Sequence, residues 1–136
     1  MFVSKIVLFS MLTSVGSCVS LGDLVDKYFL EEDRELMLRI AWWEASSLPE
    51  DTYSLAVNPS SKATGFFQQH PKFWEERTEK YFDGKFAGMT SLMPEANVAI
   101  ASALYYELDS HPRWSGASHW YPSLRCWEDW QTQGKE

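Results

Sequence analysis

Apolar positions recur at helical spacing along much of this chain. Leu21, Leu24, Val25, Tyr28 and Phe29 fall on one face of a short amphipathic helix. Leu36, Met37, Ile40 and Ala41 form the same kind of stripe on a second helix, predicted from about Asp33 into Ser46, with Pro49 marking its end. Residues 48–64 hold Pro, Asn, Ser and Asp at turn-forming density and read as an ordered loop with room for at most a minimal β-hairpin. Pro71 suits the first turn of a third helix carrying Phe73, Trp74, Arg77 and Tyr81. A loop containing Gly84 and Gly88 leads to Pro94, which opens the longest remaining helix, with Val98, Ala101, Leu104, Tyr105 and Leu108 as its core stripe. From Pro112 the chain is aromatic and irregular. The expected fold is mostly α.

At 136 residues the chain is expected to form one domain, long enough for a hydrophobic core, and it carries no repeat or interdomain linker. Residues 1–20 read as a secretory signal. Lys5 precedes the apolar run Ile6-Val7-Leu8-Phe9-Ser10-Met11-Leu12, and Gly16, Ser17 and Ser20 offer small residues for cleavage. The run is too short to span a bilayer. The mature domain is then residues 21–136, secreted and with no stable membrane insertion.

The net charge is −7, and removing residues 1–20 takes away one further positive charge, Lys5. No basic stripe exists to neutralise phosphates, so nucleic acid is excluded as the expected partner. Only Cys18 and Cys126 are present. They can pair if cleavage precedes Cys18, and Val15-Gly16-Ser17-Cys18 also resembles a lipoprotein processing site that would anchor a lipid on Cys18. Cleavage after Ser20 leaves Cys126 single. No pair of Cys or His has zinc-ligand spacing, and His70, His111 and His119 are scattered, so no metal and no cofactor is expected.

Glu44 is the chemically informative residue. It falls on the inward stripe of the second helix, near its end and beside Trp42 and Trp43. Partial burial and the negative end of a helix dipole both favour the protonated carboxyl, which a general acid requires. The segment Gly65-Phe66-Phe67-Gln68 follows an Asn-Pro-Ser-Ser turn and reads as a loop facing that acid. Gln68 offers an amide donor and acceptor suited to an N-acetyl or hydroxyl group. Gly65 permits a positive φ or close approach of the backbone to a ligand. Seven tryptophans are a heavy load for this length, and flat sugar faces stack on such rings; Trp114 and Trp120 are the candidates for lining a groove.

Taken together, these residues resemble the lysozyme-like transglycosylase domain, of the soluble lytic transglycosylase type, in its short secreted form. In that family a helix ends in Trp-Cys-Glu-Ser, followed by a Pro, an Ala-x-Asn-x-Ser-Ser-Gly-Ala-x-Gly turn and Leu-Phe-Gln. Here the chain runs Trp42-Trp43-Glu44-Ala45-Ser46-Ser47-Leu48-Pro49, then Ala56-Val57-Asn58-Pro59-Ser60-Ser61-Lys62-Ala63-Thr64-Gly65-Phe66-Phe67-Gln68. Pro94-Glu95-Ala96-Asn97-Val98-Ala99-Ile100-Ala101 is similar to the family's Asp-Pro-x-x-Asn-Ile helix, and Trp114 with Ser118-His119-Trp120 to its closing segment. The resemblance covers about residues 34–127.

The resemblance implies a lysozyme-like fold and cleavage of β-1,4 bonds in peptidoglycan by a monomer. It assigns Glu44 as the single acid and base, and Ser46, Gly65, Phe67, Gln68, Asn97, Trp114 and Trp120 as substrate-binding residues. Asn97 would tie its helix to the active-site loop or line the cleft. Attack by the muramic 6-hydroxyl makes the enzyme a lytic transglycosylase, and attack by water makes it a lysozyme. A second carboxylate, if used, would come from Glu50, Asp51 or Asp83. Two positions depart from the family. Trp43 replaces the Cys that often precedes the catalytic Glu, although Cys126 is retained. Ala45 replaces the Ser that commonly follows that Glu, which removes a hydroxyl from the expected site. A non-catalytic peptidoglycan- or chitin-binding protein of the same fold is therefore the alternative reading.

Overall fold

The computed structural model describes residues 20–45, 56–113 and 115–123. Residues 1–19 of the expected signal segment 1–20, Cys18 among them, and Ser46, Pro49, Glu50, Asp51, Trp114 and Cys126 lie outside them. The described residues form four α-helices and two 3-10 segments, with no strand and no helix long and apolar enough to cross a membrane.

Helix α1, Leu21–Tyr28, is started by the Ser20 hydroxyl, which accepts from the Asp23 N–H at 3.1 Å. Asp23 in its first turn and Lys27 in its last match the helix dipole. Helix α2, Glu31–Glu44, begins two residues before the predicted Asp33. It has no side-chain cap; Glu31, Glu32 and Asp33 supply negative charge to its first turn instead. Met37, Ile40 and Ala41 are buried as the stripe predicts, with Leu36 packed at the edge. Helix α3, Pro71–Lys80, has Pro at its start and buries only Thr78, while Tyr81 caps its end. Helix α4 spans Pro94–Asp109.

The α4 stripe read from sequence is too narrow. Every residue from Ala96 to Ser102 is buried, along with Leu104 and Tyr105, whereas Leu108 is only half-buried. Small side chains at positions 96, 99, 101 and 102 let neighbours approach on all sides, so α4 is the central helix. Helix α1 and the 3-10 segment Gly116–Ser123 both pack on it, and α2 packs on each of those two. Gly116 marks the closest approach: a Cβ there would lie 2.5 Å from the Tyr105 carbonyl oxygen.

Phe29 sits at the centre of the main core, 5.8 Å from the Tyr105 ring, 5.9 Å from Tyr106 and 6.1 Å from Phe67. A smaller cluster of Phe86, Ala96, Ala99, Ile100 and Leu104 is packed against Tyr28, Trp74 and Tyr81. The first turn of α2 is fastened to α4 by Asp33, whose two carboxylate oxygens accept from the hydroxyls of Tyr105 (3.0 Å) and Tyr106 (2.8 Å). The Tyr106 oxygen also accepts from the Leu30 N–H at 2.8 Å, which fixes the turn between α1 and α2.

The expected hairpin is reduced to two isolated antiparallel bridges, Val57 with Thr64 and Thr64 with Gln69. What holds this loop is Asn97. Its Oδ1 accepts from the Phe67 N–H at 2.9 Å, and its Nδ2 donates to the carbonyls of Thr64 and Ser91, both at 2.8 Å. Its own carbonyl accepts from Gln69 Nε2 at 3.3 Å. Asn97 is 1% exposed, and without it the buried Phe67 N–H would lose its partner. Gly65 is required by the same contact. Its φ is +80°, and a Cβ would lie 2.2 Å from Asn97 Nδ2.

Two predictions follow from this framework. Asn97→Ala leaves the Phe67 N–H and the Ser91 carbonyl without partners, while the Thr64 carbonyl keeps the Gln69 N–H, and chemical denaturation should show a loss of about 2–4 kcal/mol; Gly65→Ala should be destabilising through the same overlap. A loss under about 0.5 kcal/mol in Asn97→Ala would mean that water replaces the carboxamide at little cost. The second concerns alkaline pH. Burial, reinforced by the neighbouring Asp33 carboxylate, raises the phenol of Tyr106 to about 12 and pushes that of Tyr105 up as well. An unfolded tyrosine ionises near pH 10. Above about pH 10 the unfolded chain therefore binds fewer protons than the folded one, and stability should fall as pH rises towards about 12. Denaturation midpoints across that range should decline, and Tyr106→Phe should make the decline shallower.

Candidate functional site

A cleft of about 290 Å³ opens between the end of α2, the loop 58–70, helix α3 and the 3-10 segment Gly116–Ser123. Glu44 lines it from the last residue of α2, where it is half-buried. Gln68, Phe67 and Trp120 also line it, so four of the residues singled out from sequence converge on one space.

The loop is shaped by its own backbone. Asn58 Oδ1 accepts from the N–H groups of Ser60 (2.8 Å) and Ser61 (3.1 Å), and the Asn58 carbonyl accepts from Lys62 N–H at 2.9 Å. This is the Asn-led turn that the sequence advertises. Lys62 takes φ 65° to close it. Thr64 and Gln69 then exchange backbone hydrogen bonds of 2.9 and 2.8 Å around the tight turn at residues 65–68, and Thr64 and Ser91 are joined through their hydroxyls.

Gln68 adopts φ 51°, a costly conformation for a side-chain-bearing residue, and one often found at binding sites. Its Nε2 donates to the carbonyls of Gly65 (3.0 Å) and Ala56 (3.2 Å). Its donor capacity thus shapes the turn, and Oε1 is the group left to meet a ligand. Phe67 is 1% exposed and acts as a peg from the loop into the core; its carbonyl accepts from Trp120 Nε1 at 3.1 Å, with the two rings 5.7 Å apart. Trp120 is 5% exposed, so it forms a wall of the cleft rather than an open stacking platform.

Several expectations need correction. Gly65 and Asn97 do not line the cleft: both are buried against each other, and they hold the loop from behind. Asp83 is exposed on a left-handed turn formed with Phe82 and Gly84, and it does not line the cleft. Ala45 is 1% exposed within the main core, so its methyl replaces no hydroxyl in the cleft. A serine there would place its oxygen among apolar side chains. Trp42 and Trp43 do not enclose Glu44; both are exposed and pack edge-to-face on each other at 4.5 Å. Among the described tryptophans only Trp120 is buried. Ser46 and Trp114 lie outside the described residues.

The cleft also contains residues that no motif indicated. Arg77 projects from α3, with its guanidinium over the Phe73 ring at 5.0 Å and Nη1 donating to Gln69 Oε1 at 3.1 Å. Desolvation pulls its pKa below the ordinary value, although a guanidinium stays cationic. His119 keeps an exposed edge, yet desolvation by its packed neighbours, and then the Arg77 charge, lower its pKa, which favours a neutral imidazole. Nothing in sequence spacing joins Glu44, Arg77 and His119; only the fold does. Among the described residues no group of three His, Cys, Asp or Glu side chains is placed to hold a metal ion.

Comparisons with protein-family models, with curated proteins and with solved structures found no match to this chain.

Proposed function

We propose that this chain is an exported, lysozyme-like enzyme that cleaves β-1,4 bonds of peptidoglycan. The observation that carries the reading is the convergence of Glu44, at the end of α2, with Gln68 and Trp120 on one cleft. The sequence resemblance assigns those same positions to catalysis and glycan binding. Cleavage of a glycosidic bond requires a proton on the leaving oxygen and stabilisation of a cationic sugar. Glu44 is the only carboxylate among the described residues that line the cleft, which suits a mechanism with a single acid and base.

In this scheme the Glu44 carboxyl protonates the leaving oxygen as the glycosidic bond breaks, while the substrate's own N-acetyl group shares the developing positive charge. Gln68 Oε1 would accept from an N-acetyl or hydroxyl donor and hold the sugar in register. The Glu44 carboxylate then takes a proton from the attacking hydroxyl. If that hydroxyl is the muramic 6-OH, the product is an anhydro sugar, as in a lytic transglycosylase; if it is water, the enzyme is a lysozyme. Binding without cleavage is the second reading. Its support is that Glu44 is the only carboxylate among the described residues that line the cleft, so that cleavage by those residues would depend on a correctly placed substrate N-acetyl group.

The test is turnover of purified peptidoglycan by Glu44→Gln, which keeps the side chain's shape but cannot donate the proton. Activity should fall about 10²–10⁴-fold with an unchanged circular dichroism spectrum. Retention of more than about a tenth of the activity would remove Glu44 from the mechanism. Mass spectrometry of the wild-type products separates the readings: anhydro-muramic ends mean transglycosylase, reducing ends mean lysozyme, and an intact polymer with saturable binding means a binder.

A further inference from the structure

We infer that the Arg77 end of this cleft is a carboxylate subsite, selecting a glycan that carries an anionic substituent over a neutral one. The inference rests on the glycan-cleaving reading and specifies its substrate. Arg77 is the only permanently charged cation among the described residues that line the cleft, in a chain of net charge −7. Removing a guanidinium from water is costly, and a carboxylate partner usually offsets that cost. Here no carboxylate forms a salt bridge with Arg77 among the described residues, and α3 neighbours such as Glu76 act on it only at a distance.

The neutral Gln69 Oε1 and the Phe73 ring hold Arg77 in place and occupy one of its five N–H donors. Gln69 is itself 2% exposed and donates to the Asn97 carbonyl, so the orientation of the guanidinium is fixed by the same clamp that holds the loop. The result is a preorganised, partly desolvated cation in a space that also contains Glu44 and Gln68. A neutral N-acetylated chain gains little from such a group, whereas a carboxylate gains short, charge-assisted hydrogen bonds. In peptidoglycan that carboxylate has two sources: the lactyl group of a muramic residue stripped of peptide, or the peptide stem itself. Both present the same chemistry to Arg77.

The experiment measures binding by calorimetry in the Glu44→Gln background, so that the glycan stays intact. The probes are a chitin oligomer, a peptide-free muramyl strand of equal length and a stem-bearing strand. At least one carboxylated strand should bind about ten- to a hundredfold more tightly than chitin, the range expected of one charge-assisted contact. Preference for the peptide-free strand identifies the lactyl carboxylate, and preference confined to the stem-bearing strand identifies the peptide. Added Arg77→Gln should abolish the preference while leaving chitin affinity within about twofold, and Arg77→Lys should keep part of it. Equal affinity for all three probes overturns the subsite alone, whatever the variants do. A preference that survives Arg77→Gln in a folded protein also overturns it. If no probe binds at millimolar concentration, the glycan reading itself fails, and the subsite with it.

Discussion

The cleft depends on the buried carboxamide of Asn97. A loop with no strand can close on itself through its own backbone pairs, but those pairs do not attach it to a helical core, and its remaining N–H and C=O groups would ordinarily face water. Asn97 reverses this by satisfying the loop's inward polar groups from the central helix, taking the Phe67 N–H and giving to the Thr64 and Ser91 carbonyls. A carboxamide suits the task because it has both a donor and an acceptor end and carries no charge to desolvate. An aspartate could accept from Phe67, but it would meet two carbonyls with negative charge.

The same clamp extends to the walls of the site. Phe67, held by its N–H, offers its carbonyl to the Trp120 indole, so the loop and the Gly116–Ser123 segment share one anchor. Gln69, held by the Asn97 carbonyl, orients Arg77. Three sides of the cleft are therefore positioned from a single point on α4. Glu44 arrives independently, on α2, whose register relative to α4 is set by Asp33 between two tyrosine hydroxyls. Distance between the acid and the loop is thus controlled by two buried polar contacts separated along the same helix. Buried polar networks that are fully paired favour one geometry over others, which a cleft requires more than a core does.

Much of the helical framework was legible because it depends on periodicity: the stripes of α1 and α2, the Pro-led starts of α3 and α4, and the absence of a substantial sheet are all properties of local sequence. The Asn58 turn was legible from its side-chain chemistry. The tie of Asn97 to the loop and the positive φ of Gly65 were each one of two roles that the sequence offered; their cleft-lining roles, and that of Ala45, were misplaced, because sequence shows residue type but not which side of a loop faces the ligand. Gly65 read as room for a sugar, and the room is filled by Asn97. Ala45 read as a missing hydroxyl, and its methyl is packed in the core. Arg77 was visible only as one position on α3, and its value comes from Gln69 and Phe73 lying beside it. Helix α4 was underestimated for the opposite reason: small residues around its whole circumference weaken the amphipathic signal where burial is most complete.

These corrections narrow the chemistry rather than dispersing it. With Ala45, Gly65 and Asn97 assigned to support, the described residues that line the cleft include one carboxylate, one guanidinium, the carboxamides of Asn58, Gln68 and Gln69, and the imidazoles of His70 and His119, the latter with its protonated form disfavoured. Two carboxylates would suit general acid–base hydrolysis of many glycosides, but a lone carboxyl must act twice and needs the substrate to supply the rest of the electrostatic stabilisation. An N-acetyl group next to the cleaved bond can do that, and few other common sugar substituents can. On the proposed reading, the same scarcity that would make Glu44 dependent on its substrate would restrict the substrates it can use, and the proposed role of the fixed cation in the same cleft would restrict them further, to N-acetylated glycans that carry a carboxylate.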